Sequence, residues 1–277
     1  MPRIWLNGGL VQAADATVPA LDRGVLWGQG LFETMRVYGG RVWALDDHLV
    51  RLRAGAEAID VPIPEAEELA RAIDAVVSAN DLSEAGTRIT ITRGSGPVDP
   101  QADPDASPNV IVTAWHLRDY TELYDKGVAL VTIAGGGRPL AGLKTTSYVV
   151  SVAGRVIAKR AGAEDALFLG DGGRVLEATG SNLFVVEAGN LITPPLEEGV
   201  LPGVTRRHVM TVALRAGFLV REEPVTLSQL FEGDEVVLTS SLREVYRART
   251  VDGREVRRCG VAEKLRAAYH AAVLEVL

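Results

Sequence analysis

Glycine turns between short runs of alternating apolar residues recur along the chain and restrict the fold more than any other feature. A glycine turn between two alternating runs is typical of a β-hairpin, because glycine tolerates the positive φ angles that such turns need. Four hairpins are therefore predicted, within the ranges Ile4 to Val11, Val37 to Trp43, Val185 to Ile192 and Val251 to Val256.

Longer apolar segments separate into strands and helices by composition and periodicity. β-Branched residues favour further strands at Arg88 to Thr92, Val110 to Trp115, Val128 to Ile133, Ala166 to Leu169 and Glu235 to Thr239. A 3.6-residue period favours helices at Asp46 to Ile59, Glu65 to Ala79, Val150 to Ala161, Val204 to Ala216 and Val261 to Leu277. The elements alternate without a regular βαβ repeat, so the pattern predicts an α+β fold.

The length of 277 residues fits one large domain or two ordinary ones. The proline-rich segment Gly94 to Pro108 is a long loop between two strands, and loops of that length are usually functional or disordered. A domain boundary is predicted after the strand that ends at Trp115. The predicted division is an N-terminal domain at residues 1–117, a connector at 118–124 and a C-terminal domain at 125–277.

Composition excludes several classes of protein. With 47% hydrophobic residues, 23% charged residues and a net charge of -7, the chain lacks the signature of a disordered or nucleic-acid-binding protein. No apolar run approaches the 18 residues or so of a membrane span, and the first residues lack a signal peptide's apolar region. We therefore expect a cytoplasmic location. The single cysteine and the spacing of the histidines argue against a disulfide and a metal site.

Lysine is scarce, and one lysine lies in an unusual setting. The chain has four lysines, of which Lys144 follows Arg138-Pro-Leu-Ala-Gly-Leu among small and apolar neighbours. Desolvation disfavours the ammonium form of lysine, and a lowered pKa is what a Schiff-base lysine needs. Lys144 is therefore a candidate catalytic residue; the alternative is a surface lysine after a glycine-rich loop.

Two further segments could bind an anionic, heterocyclic ligand. Glu177 ends a short apolar strand, where its carboxylate could keep a ring nitrogen protonated; the alternative is an ordinary turn residue. Gly203 precedes a predicted helix, so the Val204 and Thr205 amides would form an anion site at the helix N-terminus.

Hydroxyl and guanidinium groups elsewhere could complete such a site. Thr239-Ser240-Ser241 follows a predicted strand and adds hydroxyl donors. Arg51, on the helix after Asp46, could supply a permanent cation for a phosphate. A solvated helix face is the alternative explanation for Arg51.

Several motifs, taken together and in the order in which they follow one another along the chain, resemble the class IV aminotransferases. This pyridoxal-phosphate family of fold type IV includes branched-chain and D-amino acid aminotransferases and aminodeoxychorismate lyase. The resemblance spans nearly the whole chain, at Asp22 to Tyr38, Leu45 to Leu52, Glu177 to Phe184 and Leu201 to Arg206. It implies a two-domain enzyme with pyridoxal 5'-phosphate in the cleft between the domains, and a homodimer whose loops complete each other's sites.

The resemblance also implies a role for individual residues. Lys144 corresponds to the lysine that forms a Schiff base with the cofactor and later moves the substrate proton. Glu177 corresponds to the carboxylate that pairs with the pyridine nitrogen, and Leu201 to the apolar residue against the ring. Tyr148 resembles the tyrosine that binds the ring oxygen O3′, although it lies one residue closer to the lysine. The residues that match the phosphate site are Arg51, Val204, Thr205 and Ser241, with Ser240 beside them.

The substrate residues depart from each branch of the family. The best-known D-amino acid enzymes have a tyrosine where this chain has Phe32, and their Arg-x-His pair is absent from the loop Gly94 to Pro100. In the branched-chain pattern Tyr-x-Arg, Arg88 matches the arginine but Gly86 replaces the tyrosine. Arg88 is thus the candidate for binding a substrate carboxylate, and Arg243, which could instead pair with Glu244, is the alternative.

The expected function is transfer of an amino group between an amino acid, or a primary amine, and a 2-oxo acid. The first alternative is a lyase that converts 4-amino-4-deoxychorismate to 4-aminobenzoate and pyruvate, because Phe32 to Arg36, Arg93 to Gly96 and Leu140 to Lys144 look similar to that branch. The second is a non-catalytic binding protein on the same fold, against which Lys144, Glu177 and Arg51 argue.

Overall fold

A computed structural model of the chain describes residues 2–99, 101, 107–135, 140 and 142–277. Parts of two segments named above, the loop from Gly94 to Pro108 and the stretch before Lys144, lie outside the described residues. The chain forms two compact units, the first made of Met1–Arg118, Leu143–Tyr148 and Leu277, the second of Asp119–Gly142 and Val149–Val276.

These units differ from the predicted domains at Leu143–Tyr148, at Leu277 and across the predicted connector. Leu143–Tyr148, which contains Lys144, belongs to the first unit, whereas the predicted C-terminal domain includes Lys144. The predicted connector at 118–124 includes the start of helix α4 (Thr121–Lys126), whose Leu123 and Tyr124 pack on the core of the second unit. The domain limits stated from the sequence stay a prediction.

The first unit is built on an antiparallel sheet of six strands, in the order β2-β1-β6-β5-β3-β4. Its strands are β1 (Arg3–Leu6), β2 (Gly9–Gln12), β3 (Gly30–Tyr38), β4 (Arg41–Val42), β5 (Ala85–Thr92) and β6 (Val110–His116). Its helices are α1 (Arg23–Trp27), α2 (Leu45–Ala58) and α3 (Ala66–Ala79).

The core of this unit lies between the sheet and helices α2 and α3. Helix α3 turns one apolar stripe inward, because its buried residues recur at the helical spacing of three and four: Leu69, Ala72, Ile73, Val76 and Val77. Strand β3 contributes Leu31, Met35 and Val37 to the same core. Since alternate residues of a strand share a face, Glu33 also points toward this side, and Phe32 and Thr34 point away from it.

Helix α1 was not predicted from the sequence, because five residues are too short to show a helical period. Asp22 caps it, as its Oδ1 accepts hydrogen bonds from the Gly24 and Val25 amides. The other oxygen, Oδ2, accepts from Thr92 Oγ1 and Asn109 Nδ2, both at 2.6 Å. A fully buried aspartate thus ties α1 to the end of β5 and to the residue before β6.

The second unit is built on a mixed sheet in the order β12-β11-β10-β14-β15-β7-β8-β9-β13, with β16 paired to β15. Its strands are β7 (Val128–Ala134), β8 (Asp165–Leu169), β9 (Arg174–Ala178), β10 (Asn182–Glu187), β11 (Asn190–Thr193), β12 (Leu219–Glu222), β13 (Val225–Thr226), β14 (Glu235–Ser240), β15 (Glu244–Val251) and β16 (Arg254–Glu255). Besides α4, its helices are α5 (Val149–Arg160), α6 (Val204–Arg215), α7 (Leu227–Glu232) and α8 (Val261–Val276).

Glu235 links this sheet to helix α8. Its side chain is fully buried, and Oε2 accepts hydrogen bonds from the Val261 and Ala262 amides at 2.7 and 3.2 Å. A carboxylate at this position satisfies amides that have no partner within the helix.

The four predicted hairpins are confirmed as β1–β2, β3–β4, β10–β11 and β15–β16. The five predicted helices are confirmed as α2, α3, α5, α6 and α8. The α+β class is confirmed as well. No helix in the described part of the chain is both long and apolar enough to cross a membrane.

Candidate active site

The segment that carries Lys144 lies along the edge of strand β3. The Phe32 amide donates to the Lys144 carbonyl at 2.9 Å, and the Thr146 amide donates to the Gly30 carbonyl at 2.9 Å. Thr146 Oγ1 also donates to the carbonyl of Gly28, at 2.8 Å. Three residues therefore extend the sheet by a short antiparallel ladder, which is why this segment belongs to the first unit.

Gly28 lies between helix α1 and strand β3, at a position that requires glycine. Its φ of 66° is left-handed, and it ends helix α1. A Cβ at this position would collide with Ser147 Oγ. The glycine thus allows both the helix end and the close approach of the lysine segment.

Phe32 brings together three of the predicted site residues. The Arg88 guanidinium lies 3.6 Å and Lys144 Nζ lies 4.5 Å from the centroid of the Phe32 ring. Tyr148 meets the same ring edge-on, with the centroids 5.3 Å apart. An aromatic ring attracts positive charge through its quadrupole, so Phe32 suits the Arg88 guanidinium and places the Lys144 amine near it.

Arg88 lies in a half-buried position on the face of the sheet that carries Phe32. In the antiparallel register, Thr34 is opposite Arg88 and Phe32 is opposite Thr90, so these side chains share one face of the sheet. Arg88 Nε donates to Thr90 Oγ1 at 3.0 Å, and within the described residues no carboxylate pairs with its guanidinium. Burial lowers the pKa of Arg88, an effect that the nearby Tyr148 opposes. A guanidinium nevertheless stays charged at neutral pH, so Arg88 is suited to bind an anion.

Gly86 has a physical explanation in this sheet. It lies opposite Trp115, and a Cβ on Gly86 would lie 2.6 Å from Cε2 of the indole. The indole covers the position of the tyrosine that the branched-chain pattern predicts there. Because Gly86 and Arg88 are two residues apart on one strand, Trp115 lies on the same face as Arg88.

Arg51 is held by two residues that the sequence analysis did not name. Glu33 Oε1 accepts from Arg51 Nε at 2.8 Å, and Glu33 Oε2 accepts from Arg51 Nη2 at 2.7 Å. His48 Nδ1 lies 2.7 Å from Glu33 Oε2. One signal was available: His48 and Arg51 are three residues apart and so share a helix face. That Glu33 faces α2 follows only from the placement of β3 against that helix.

The charges in this cluster follow from its burial. Burial alone would raise the pKa of Glu33, but Arg51 and His48 outweigh it and hold the pKa at about 2. Burial also lowers the pKa of His48, as do Arg51 and Lys144, while Glu33 opposes the shift. At neutral pH the cluster therefore contains a carboxylate, a guanidinium and a neutral imidazole whose Nδ1–H donates to Glu33.

In the second unit, Glu177 is held by Asn182 and Leu201. Glu177 Oε2 accepts from Asn182 Nδ2 and from the Leu201 amide, both at 3.1 Å. Asn182 Nδ2 also donates to the Leu201 carbonyl at 2.9 Å. The structure thus brings Glu177 and Leu201 together, with Asn182 as the residue that orients both.

Helix α6 begins beside the same asparagine. Gly203 is its N-cap and provides no side-chain acceptor for the Val204 and Thr205 amides. A Cβ on Gly203 would collide with Asn182 Oδ1, so the residue must be glycine. Asn182 is in turn the strand partner of Thr239.

Two buried hydroxyls at the end of β14 lack a hydrogen-bond partner within the described residues, those of Thr239 and Ser240. Ser241 follows in the turn and is half-buried. Buried polar groups are normally paired, so unpaired hydroxyls beside uncapped helix amides indicate a site for a polar ligand.

Arg243 occupies a different setting from Arg88. Its Nη2 lies 3.9 Å from Asp165 Oδ2, and its guanidinium lies 5.2 Å from the centroid of the buried Tyr246 ring. Asp165 is itself almost fully buried. Arg243 therefore already has a carboxylate neighbour within its unit.

The predicted site residues divide by unit into two groups, and contacts join Phe32 to Arg88, Lys144 and Tyr148 in the first and Glu177 to Leu201 in the second. The first group is Phe32, Arg51, Arg88, Lys144 and Tyr148. The second group is Glu177, Leu201, Val204, Thr205, Ser240, Ser241 and Arg243.

The family model, the similar proteins and the similar solved structures all indicate one family. The family model described as Amino-transferase class IV matches residues 30–251. A putative branched-chain-amino-acid aminotransferase from Methanocaldococcus jannaschii is 33% identical over 267 residues, which cover 94% of this chain and 92% of the relative. A D-alanine aminotransferase from Bacillus licheniformis is 28% identical, over 92% of this chain and 90% of the relative.

Among solved structures, the branched-chain aminotransferase from Thermoproteus uzoniensis with norvaline superposes with a TM-score of 0.92. The two share 29% sequence identity, and the match covers 99% of this chain and 95% of the other. With a family match over most of its length and a relative above 30% identity, the chain belongs to the class IV aminotransferases and has their fold.

Proposed function

We propose that this aminotransferase uses pyridoxal 5'-phosphate to transfer an amino group from a branched-chain amino acid to a 2-oxo acid. One observation carries the proposal: the Lys144 amine and the Arg88 guanidinium lie at the same Phe32 ring. A basic amine next to a cation that has no acidic partner among the described residues suits a substrate that carries both an amino group and a carboxylate.

The chemistry of the candidate residues suits each group of the cofactor. Its aldehyde would bond to Lys144 and its ring nitrogen would meet Glu177, with Leu201 against the ring and Tyr148 near the ring oxygen. The phosphate would bind Arg51, the Val204 and Thr205 amides with the Thr205 hydroxyl, and Ser241, with Ser240 beside them. The hydroxyl of Ser240, which has no hydrogen-bond partner in the described part of the chain, supports this assignment. When bound, the cofactor supplies an electron sink for the pair left on the substrate Cα.

The residues of the chain would then perform distinct tasks. The amine of Lys144 would take the proton from the substrate Cα as a general base and later return a proton as a general acid. The carboxylate of Glu177 would hold a proton at the ring nitrogen, because an opposite charge favours the protonated form. Arg88 would bind the substrate carboxylate and so orient the Cα–H bond.

A branched-chain amino acid is favoured by two kinds of observation. The relative from Methanocaldococcus jannaschii and the structure from Thermoproteus uzoniensis both carry that activity in their names. In this chain, Phe32 and Trp115 give the face that carries Arg88 an apolar, aromatic surface. The D-alanine aminotransferase relative makes a D-amino acid the competing choice, but the tyrosine and the Arg-x-His pair of that branch are missing.

The test is a product assay with several donors. With 2-oxoglutarate as acceptor, we expect L-leucine to yield its 2-oxo acid and glutamate, and D-alanine to yield no product above background. Product from D-alanine alone would overturn the substrate assignment. Release of pyruvate from 4-amino-4-deoxychorismate without an acceptor, and no product from either amino acid, would contradict transamination and favour the lyase.

Replacing Arg88 with methionine tests the carboxylate assignment. The unbranched side chain keeps the stack on Phe32 but removes the charge. We expect the KM for L-leucine to rise roughly 10- to 100-fold, the range for losing a hydrogen bond to a charged group, with a much smaller change in kcat. The matched variant Arg243→Met should leave this KM within about twofold. The reverse pattern would assign the substrate carboxylate to Arg243.

We also propose a homodimer, as the family resemblance implies. Helix α5 carries exposed valines on one stripe, Val149, Val152 and Val156, and exposed apolar stripes commonly mark interfaces. Sedimentation equilibrium of the purified protein tests this, and a monomer at micromolar concentration would contradict it. The cytoplasmic location stays a prediction.

A further inference from the structure

Glu33 is an unusual residue for its position. It lies on the core-facing side of β3, between Leu31 and Met35, which are almost fully buried core residues. Its own side chain is fully buried. Burying an ionised carboxylate is costly unless charged partners compensate for the lost hydration, and Arg51 and His48 provide that compensation for Glu33.

The geometry of the pair orients Arg51. Glu33 binds the guanidinium through Nε and Nη2, in a two-point contact. Such a contact fixes the plane of the guanidinium as well as its position. It directs the Nη1 side of the group away from Glu33. The hydrogen bond from His48 to Glu33 Oε2 holds the carboxylate itself.

We propose that Glu33 is a positioning residue which, together with His48, holds Arg51 in the orientation that binds the phosphate of the cofactor. This inference rests on the proposed function, in which Arg51 is a phosphate ligand. Arginine has a long side chain that loses much rotational freedom when it binds a ligand. A clamp that restricts Arg51 beforehand removes part of that loss, which is the usual effect of preorganisation.

The alternative is that the buried pair only stabilises the first unit. Affinity for the phosphate group distinguishes the two roles. A residue that only stabilises the unit would not change the preference of the protein for a phosphorylated ligand. Pyridoxal 5'-phosphate and pyridoxal share the aldehyde that bonds to Lys144 and differ only in the phosphate. The ratio of the dissociation constant for pyridoxal to that for pyridoxal 5'-phosphate, compared between variant and wild type, therefore isolates the phosphate contacts.

The experiment uses the variant Glu33→Asp, which keeps the charge but shortens the side chain, so that the two-point contact is lost. Apoenzyme is titrated with pyridoxal 5'-phosphate and with pyridoxal, and binding is followed by absorbance. We expect the affinity for pyridoxal 5'-phosphate to fall about two- to tenfold, the range for releasing one long side chain. The affinity for pyridoxal should change less than twofold.

Glu235→Asp is the matched control, because it shortens another fully buried glutamate, one that binds helix α8. Both variants should lower Tm, but only Glu33→Asp should reduce the ratio. In an Arg51→Lys background, Glu33→Asp should not reduce the ratio further, since lysine lacks the planar guanidinium that a carboxylate can orient through two hydrogen bonds. His48→Leu, a second variant that leaves the pair in place, should reduce the ratio about two- to tenfold, the range for one lost hydrogen bond.

The outcomes separate the inference from the function on which it rests. If the wild-type apoenzyme prefers the phosphorylated ligand but Glu33→Asp keeps that preference within twofold, the positioning role is wrong and the proposed function stands. If both affinities fall equally, Glu33 is structural. If the wild-type apoenzyme binds neither ligand, the proposed function and this inference both fail.

Discussion

Replacing Lys144 with arginine is expected to abolish transamination. Arginine keeps the positive charge next to Phe32, but its guanidinium remains protonated and can neither bond covalently to an aldehyde nor accept a proton. Losing a general acid–base residue alone lowers kcat by about 10²- to 10⁴-fold. Because the covalent link is also lost, we expect a fall of about 10³-fold or more.

Two measurements check this result. The first is turnover with L-leucine and 2-oxoglutarate. The second is borohydride reduction of the holoenzyme followed by mass spectrometry, which should find the phosphopyridoxyl group on Lys144 in the wild type and on no residue in the variant. Lys126→Arg is the control, because Lys126 is an exposed residue paired with Glu122. Labelling at another lysine, or turnover within tenfold of wild type, would contradict the assignment.

Replacing Glu177 with glutamine is expected to lower kcat about 100-fold while the cofactor still binds. Glutamine is nearly isosteric, and its remaining oxygen can still accept from Asn182 and from the Leu201 amide. What is lost is the negative charge. A carboxylate beside a cation shifts a pKa by one to three units, which corresponds to about 10- to 1000-fold in the protonated fraction of the ring nitrogen.

The measurement is steady-state kinetics together with cofactor titration of the apoenzyme. Glu187→Gln is the matched control, since Glu187 is an exposed residue at the end of β10 in the same unit. It should leave kcat within about twofold. An unchanged kcat in Glu177→Gln would mean that the carboxylate does not act on the ring nitrogen, and a loss of cofactor binding would assign it a structural role.

Most of the regular fold could be predicted from the sequence, because it is governed by local rules. Glycine turns marked the four hairpins, and the 3.6-residue period marked the longer helices such as α3. Short elements escaped prediction for the same reason: α1 and α7 have five and six residues, too few to show a period. Helix α1 depends on Asp22, whose partners Thr92 and Asn109 are distant in sequence.

The candidate site likewise has residues that the sequence motifs identified and contacts that only the structure shows. The order of several motifs identified the family, and with it Lys144, Glu177 and Arg51, without any knowledge of their surroundings. Only the tertiary structure assigned the Lys144 segment to the first unit, because that depends on two backbone hydrogen bonds to β3. The replacement of the tyrosine at Gly86 by the indole of Trp115 likewise depends on strand register.

The class of fold, the family and the residues that match its motifs can therefore be read from local patterns and their order. Which side chains support those residues depends on how the elements pack together. Glu33 looks like any polar residue in a strand until β3 packs on α2 and brings it to His48 and Arg51. The physical reason is that the cost of burying a charge, and the partners that offset it, depend on neighbours that are distant in the chain.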